Sequence, residues 1–388
     1  MDTLSIVVIC LGLSFILSEV FFRLKYPRII GQIVAGLLLS LPFVKFLFNQ
    51  DSLSDISFLA DIGVIFLLFI TGMKLNLHKF KEAKKDTFIL ALFSVLVPFL
   101  MGFVLMKAID YSNVVSFVFG ACISLTAEGT NLKVLIDFKA LNSKVGVIML
   151  GVGILDDLFE LIFLSVVIIL VHSSITEALF LPLKIILFVA VMIVTYKLFP
   201  KVLSVIQKEK SRIATLSATI LFGLFMALVS TKLDIGPVIG AFVAGVILHL
   251  IDKDKADFHE NLLELEALTF AFIIPFFFIN IGLHFDISSF GNNLYLIIIV
   301  IVIATVSKLL GAFMAKPWTD LSWKQLHLIG WGLNSRGAIE LVIAQVAFAN
   351  ELLPVEIYSA IVIMAIVTTI AFPVVMKYVI RNDRTILH

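Results

Sequence analysis

Residues 151–162 read GVGILDDLFELI. Asp156, Asp157 and Glu160 fall inside a segment whose other side chains suit lipid. Each ionised group at the centre of a membrane helix costs roughly 2.5–3.5 kcal/mol on insertion scales, so three together mark a functional site by default.

The rest of the chain sets the membrane context. Of its 388 residues 61% are hydrophobic and 15% charged, and mean hydropathy is +1.12. A soluble domain is about half apolar and a quarter charged. Apolar runs long enough to cross a bilayer recur throughout. The expected fold class is an all-α polytopic membrane protein, with residues 1–388 as one transmembrane domain. A net charge of +1 argues against nucleic acid as a partner. Cys10 and Cys122 lie in apolar runs without disulfide or metal spacing. His172, His249, His284 and His327 fall at loops or helix ends, so neither a zinc site nor a cofactor is expected. The first run is too long and too weakly basic at its start for a cleaved signal peptide. A nucleotide-binding tail is not expected after the last run.

Periodicity and turn signals place helices at about 4–22, 28–45, 55–73, 87–107, 114–137, 142–171 and 180–199. Further helices are placed at about 211–231, 235–251, 262–283, 293–315, 323–349 and 355–377, giving about thirteen. Charge tests the alternation. Arg23, Lys25, Arg28, the lysines at 74–85, Lys133, Lys139, Lys144 and the group from Lys197 to Arg212 fall on one side. Lys253, Lys255, Lys316, Lys324, Lys377, Arg381 and Arg384 join them. The other side has Lys45, Lys107, Lys184 and Lys232, a ratio of about 23 to about 4. Basic residues favour the cytoplasm, so the expected orientation in the cell membrane is N-terminus outside and C-terminus cytoplasmic.

With the seventh helix as a linker, six helices on either side enter the membrane in opposite senses, the arrangement of inverted-repeat transporters. Polar stretches interrupt two of them: SLTAEGTN (124–131) in the fifth and GLNSRGAIE (332–340) in the twelfth. Gly129 and Gly337 allow backbone conformations other residues resist. Thr126, Thr130, Asn131, Asn334 and Ser335 can replace the lost backbone hydrogen bonds.

Glu128, Asp156, Asp157, Glu160, Lys308, Arg336 and Glu340 are the ionisable residues at membrane depth, with a formal charge of −3 that favours cations. Asp156 and Asp157 diverge by about 100° on a helix and can take different partners. Lys308 lies about two turns inside its helix end and is the natural counter-charge for one of them, rather than a snorkelling residue. Glu160, one turn away, either joins the site or only hydrogen-bonds within the bundle. Arg336 suits converging helix C-termini. Glu128 suits either converging N-termini or direct cation coordination, and both readings stand. Asp61 is placed nearer the outer surface, at an entrance.

GVGILDDLFELI, SKLLGAF (307–313) and LNSRGAIELVIA (333–344), taken in order, resemble the monovalent cation:proton antiporter family, in its paired-aspartate branch. PRIIGQIVAGLLL (27–39), LADIGVIFLLFITGMKL (59–75), GPVIGAFVAGVIL (236–248) and PFFFINIGLHFD (275–286) extend the resemblance over nearly the whole chain. It implies an inverted-repeat antiporter fold with two interrupted crossing helices, working as a homodimer in lipid. A core ion-transport bundle at 87–171 and 293–380 would move against a dimerisation bundle at 1–75 and 211–283, with 180–199 as linker. Asp157 matches the position that binds Na+ or a proton, Asp156 its neighbour that pairs with Lys308, and Thr126 the interrupted-helix position beside them. Glu128 departs from the small or hydroxyl residue often found there. RGAIE moves to Glu340 an acid that many members carry directly after Arg-Gly.

A carboxylate with little water around it is neutralised by a proton or by a cation, but not by both at once. Exposing one such site to each side in turn gives exchange of a monovalent cation, Na+ first and Li+ or K+ as alternatives, for protons. The competing readings are a cation-coupled solute symporter, a channel and an intramembrane aspartyl protease. Adjacent aspartates on one helix cannot share a water as a catalytic dyad, which disfavours the protease. No repeated acceptors line a pore, which disfavours the channel. The chain is read as a transporter and not an enzyme.

Overall fold

Backbone crossing lipid must satisfy its own hydrogen bonds, and the computed structural model is helical in all its regular elements among the described residues. It describes residues 3–45, 48, 50–75, 85–127, 135–136, 138, 140, 143–171, 175–208, 212–252, 256–286, 293–383 and 386. The helices are α1 (Thr3–Arg23), α2 (Arg28–Leu39), α3 (Pro42–Lys45), α4 (Gln50–Lys74), α5 (Lys85–Ala108), α6 (Asn113–Ser124), α7 (Lys144–Val171) and α8 (Ile175–Lys208). They continue as α9 (Arg212–Lys232), α10 (Pro237–Asp252), α11 (Ala256–Phe272), α12 (Ile274–Leu283), α13 (Leu294–Met314), α14 (Trp323–Gly332), α15 (Ala338–Ala349) and α16 (Val355–Asn382).

Eight helical stretches among the described residues are long and apolar enough to cross a membrane, and α2, α6, α10 and α15 are shorter apolar helices beside them. These described stretches do not fix the expected count of about thirteen, but several expected segments have other bounds, for local reasons. The segment expected at 28–45 stops at Leu39 and restarts at Pro42, because a residue before proline is pushed out of the helical region. The segment expected at 262–283 breaks at Ile273, since Pro275 has no N–H for the preceding turn. The helix expected at 180–199 is longer, running over the whole of α8.

The chain divides into two units. The first holds residues 1–15, 43–75 and 168–280. Within it α4 crosses α10 almost backbone on backbone. A Cβ added at Gly72 would run into the carbonyl of Phe242, and one at Gly245 into that of Phe69. Small residues at such crossings let helices gain close packing that lipid cannot supply. Gly236, at φ +93°, makes the turn from α9 into α10, and Pro237 then starts α10 where no N–H is needed. Lys74 pairs with Glu266, and Phe199 of α8 stacks on Phe222 of α9 at 4.1 Å.

The second unit holds residues 16–42, 76–167 and 281–388. Here α5 packs on α6 through Gly102 and Gly120, and on α13 through Gly311, whose added Cβ would sit 2.6 Å from the Phe93 carbonyl. Phe99, Phe117 and Phe163 form an aromatic cluster with centroids 5.2–6.0 Å apart. A dry core of Leu90, Met149, Ala312, Ile329, Phe372 and Met376 joins α5, α7, α13, α14 and α16. That core brings the charged residues of α7, α13 and the α14–α15 break into one unit.

Candidate functional site

The two polar interruptions cross and repair each other. α6 ends at Ser124 and the chain runs extended through Leu125. α14 ends at Gly332, and α15 begins at Ala338. Ala127 N–H donates to the Ser335 carbonyl at 2.9 Å, and Ser335 Oγ donates back to the Ala127 carbonyl at 2.7 Å. Thr126 Oγ1 donates to the Leu333 carbonyl at 3.3 Å. Backbone groups freed by one break are thus satisfied by the other, as non-helical backbone at membrane depth requires.

Gly337 has an ordinary extended backbone, φ −115° and ψ −178°, which corrects the expectation that it supplies an unusual conformation. Its role is room: a Cβ there would lie 3.2 Å from that of Ala127. Glu128, Gly129, Thr130 and Asn131 lie outside the described residues.

Two buried cations serve the C-terminal end of α6. Lys308 of α13 is fully buried, and its Nζ donates to the Ser124 carbonyl and, at 2.7 Å, to Thr126 Oγ1. Arg336 donates through one terminal nitrogen to the carbonyls of Ile123 and Leu125, both at 2.7 Å. Its other terminal nitrogen reaches the Ala304 carbonyl of α13 at 3.2 Å. Of these acceptors, the Ile123 and Ser124 carbonyls are among the last of α6, which have no intrahelical partner and carry the negative end of the helix dipole. Glu340 sits in the first turn of α15, at a positive helix end, with Oε2 at 3.8 Å from Arg336. Neither of its carboxylate oxygens has a hydrogen-bond partner among the described residues.

The acids of α7 separate. Asp156 is fully buried, with Thr126 beside its carboxylate. Asp157 is partly exposed. Glu160 is buried and lies within electrostatic reach of Lys308. The expected direct pairing of Asp156 with Lys308 is not formed in this conformation. Lys308 turns its ammonium to oxygens at the end of α6, and Asp156 feels its charge, and that of Arg336, without a hydrogen bond. A carbonyl acceptor leaves no mark in sequence, so the competition for Lys308 was invisible there. The same is true of Thr369 on α16, whose Oγ1 accepts from the Arg336 backbone N–H at 3.2 Å. Asp61 is exposed on α4 in the first unit.

The site therefore holds Asp156, Asp157, Glu160 and Glu340 against Lys308 and Arg336, a formal charge of −2 from its described residues. Both bases are committed to a helix end. Among the described residues no base pairs with Asp157.

The family described as sodium/hydrogen exchanger, transmembrane, matches residues 7–380. A Na(+)/H(+) antiporter of Enterococcus hirae is 28% identical over 97% of this chain and 98% of its own length. The Na(+)/H(+)-K(+) antiporter GerN of Bacillus cereus is 26% identical, covering 92% of this chain and 90% of its own. The sodium proton antiporter MjNhaP1 of Methanocaldococcus jannaschii shares the fold, with a TM-score of 0.67 at 17% identity over 98% of this chain and 97% of that one. On a match that runs almost from end to end, the chain is a multi-pass membrane protein of the transmembrane sodium/hydrogen exchanger family, whose members are transporters rather than enzymes.

Proposed function

We propose that this protein is a secondary antiporter exchanging a monovalent cation, Na+ in the first place, for protons at Asp157. The observation that carries the reading is the division of labour around α7: Asp156 is buried near two committed bases, while Asp157 is partly exposed and, among the described residues, pairs with no base. The cation is cargo. A proton or Na+ neutralises the Asp157 carboxylate equally, and each excludes the other. The neutralised site crosses, whereas an empty and charged one is held back by the cost of moving a bare carboxylate through lipid. Thr126, already hydrogen-bonded to Lys308, supplies a hydroxyl beside the acids. Release of Lys308 from Thr126 and Ser124 towards Asp156 would let the lysine follow the state of the pair. Exchange would alternate between faces by movement of the core at about 87–171 and 293–380, in a homodimer with its C-terminus in the cytoplasm.

The names of the relatives, all cation/proton antiporters, favour this cargo over an organic solute. Proteoliposomes loaded at one pH and given a Na+, Li+ or K+ gradient without organic solute test it. Cation-driven proton movement is expected from the native protein and none from Asp157→Asn. Full exchange in that variant would remove Asp157 from the site, and no exchange in the native protein without a solute would favour symport.

A further inference from the structure

The break between α14 and α15 holds a buried oxygen that the crossover leaves unused. Asn334 is 1% exposed. Its Nδ2 donates to the Gly330 carbonyl at 2.9 Å and reaches the Thr305 carbonyl of α13 at 3.5 Å. Gly330 lies in the last turn of α14, where carbonyls lack an intrahelical partner. Turned over, the amide would set its oxygen against two carbonyl oxygens, so these bonds fix which way it faces. Oδ1 then points away from both, and among the described residues it meets no donor. A buried acceptor left in that state costs about 1–3 kcal/mol, a cost that an apolar side chain of similar size avoids.

Its neighbours place Asn334 at the acids. Leu333, the residue before it, accepts from Thr126 Oγ1 at 3.3 Å, and Ser335, the residue after it, exchanges bonds with Ala127. Asn334 is thus held between two contacts with the first arm. Thr126 also lies beside the Asp156 carboxylate and accepts from Lys308. Thr305 is three residues from Lys308, less than one turn of α13. Gly332, two residues back, lies against α7: a Cβ there would meet the side chain of Met149, seven residues or about 10.5 Å before Asp156 along the helix. The carboxylates of α7, the Thr126 hydroxyl and the Asn334 amide oxygen therefore share one neighbourhood in the second unit.

We propose that Asn334 Oδ1 is a ligand of the transported cation, joining Asp157 and Thr126, and that it sets part of the preference among alkali ions. The inference rests on the reading of cation/proton exchange at Asp157. A hard cation stripped of water takes several oxygens, from carboxylates and neutral carbonyl groups alike. A proton needs the carboxylate alone. The amide oxygen therefore acts on the cation half of the exchange and not on the proton half. The competing use is a hydrogen bond from the third hydrogen of Lys308, two of whose hydrogens go to the Ser124 carbonyl and Thr126. That use would bind Asn334 to the charge of the lysine and would appear in the pH profile of transport instead.

Full-length native protein, Asn334→Thr and Asn334→Leu would be compared in proteoliposomes for the KM of Na+, Li+ and K+ and for the pH profile, and in detergent for melting temperature with and without Na+. A threonine hydroxyl can keep the bond to the carbonyl four residues back, that of Gly330, while the amide oxygen is gone. Asn334→Thr should raise the KM for Na+ about tenfold and change its ratio to that for K+, with the pH profile and the Na+-free melting temperature unmoved. Asn334→Leu should show the same KM and a lower melting temperature. A native KM in Asn334→Thr, or a shifted pH profile at unchanged KM, would overturn the proposal, and the second result would give the oxygen to Lys308. If the native protein exchanged no cation, the antiport reading would fall by itself. The ligand keeps its own test, because Na+ should raise the melting temperature of native protein more than that of Asn334→Thr, and equal rises would overturn it.

Discussion

Arg336→Met separates the two partners that Arg336 could be serving. The native guanidinium donates to three buried carbonyls, those of Ile123, Leu125 and Ala304, and stands 3.8 Å from Glu340. A hydrogen bond involving a charged group contributes about 1.5–3 kcal/mol, so the three together amount to about 5–9 kcal/mol gross. The Coulomb attraction to an ionised Glu340 at that distance is about 4 kcal/mol at an effective dielectric constant of 20. Water admitted to the variant would restore part of the loss, so a net destabilisation of about 3–5 kcal/mol is expected, the range seen when a buried pair loses one member. Glu340→Gln should cost less, because among the described residues neither of its oxygens has a hydrogen-bond donor to lose and Arg336 keeps its three carbonyl acceptors.

The double variant decides between the partners. If the end of α6 is what Arg336 holds, Glu340→Gln added to Arg336→Met recovers less than half the loss. Unfolding of purified protein, followed by tryptophan fluorescence in a denaturant series, gives all three values. Recovery to near the native value would refute the assignment and make the Arg336–Glu340 pair the principal contact.

Three other outcomes follow from the packing. Gly72→Leu forces a side chain into the Phe242 carbonyl and should destabilise the first unit by about 3 kcal/mol or more, read from its melting temperature. Gly337→Ala places a methyl 3.2 Å from that of Ala127, so transport should fall modestly; Gly337→Val should abolish it while leaving expression intact, as vesicle flux and blotting would report. At the α5–α6 turn, burial and then the nearby Glu356 push the Tyr111 phenol above its ordinary 10.0, with Tyr111 OH bonded to Glu356 at 3.2 Å. A raised folded value favours the neutral phenol, so the contact stabilises at all pH values below 10.0 and is lost as pH climbs beyond it. Tyr111→Phe should cost under about 1 kcal/mol at neutral pH and flatten the alkaline decline in melting temperature.

What the sequence disclosed about this fold depended on whether the cause was a side chain or the backbone. The paired aspartates, Lys308 and Arg336 declared themselves because charge is costly in lipid, and all four fall in one unit. The two breaks were legible from their runs of Thr, Asn, Ser and Gly. Their mutual hydrogen bonds were not, since they join residues more than two hundred positions apart, as with Ser335 and Ala127. The partner of Lys308 is hidden for a related reason: opposite charge points to Asp156, while main-chain and hydroxyl oxygens at the end of α6 take the ammonium. Pro42 and Pro275 carried the signal for the extra helix breaks, but the apolar runs around them concealed it. The backbone crossing of α4 and α10 rests on glycines whose spacing alone names no partner.

The exchange of bonds between Ala127 and Ser335 also bears on how the chain matures. Each arm is left with dangling polar groups until the other arrives, and the second emerges from the ribosome long after the first. The earlier arm must therefore wait in the bilayer incomplete, a natural client for the insertion machinery. Two separately synthesised fragments, cut between them, should each be short-lived when made alone and rescue one another when made together.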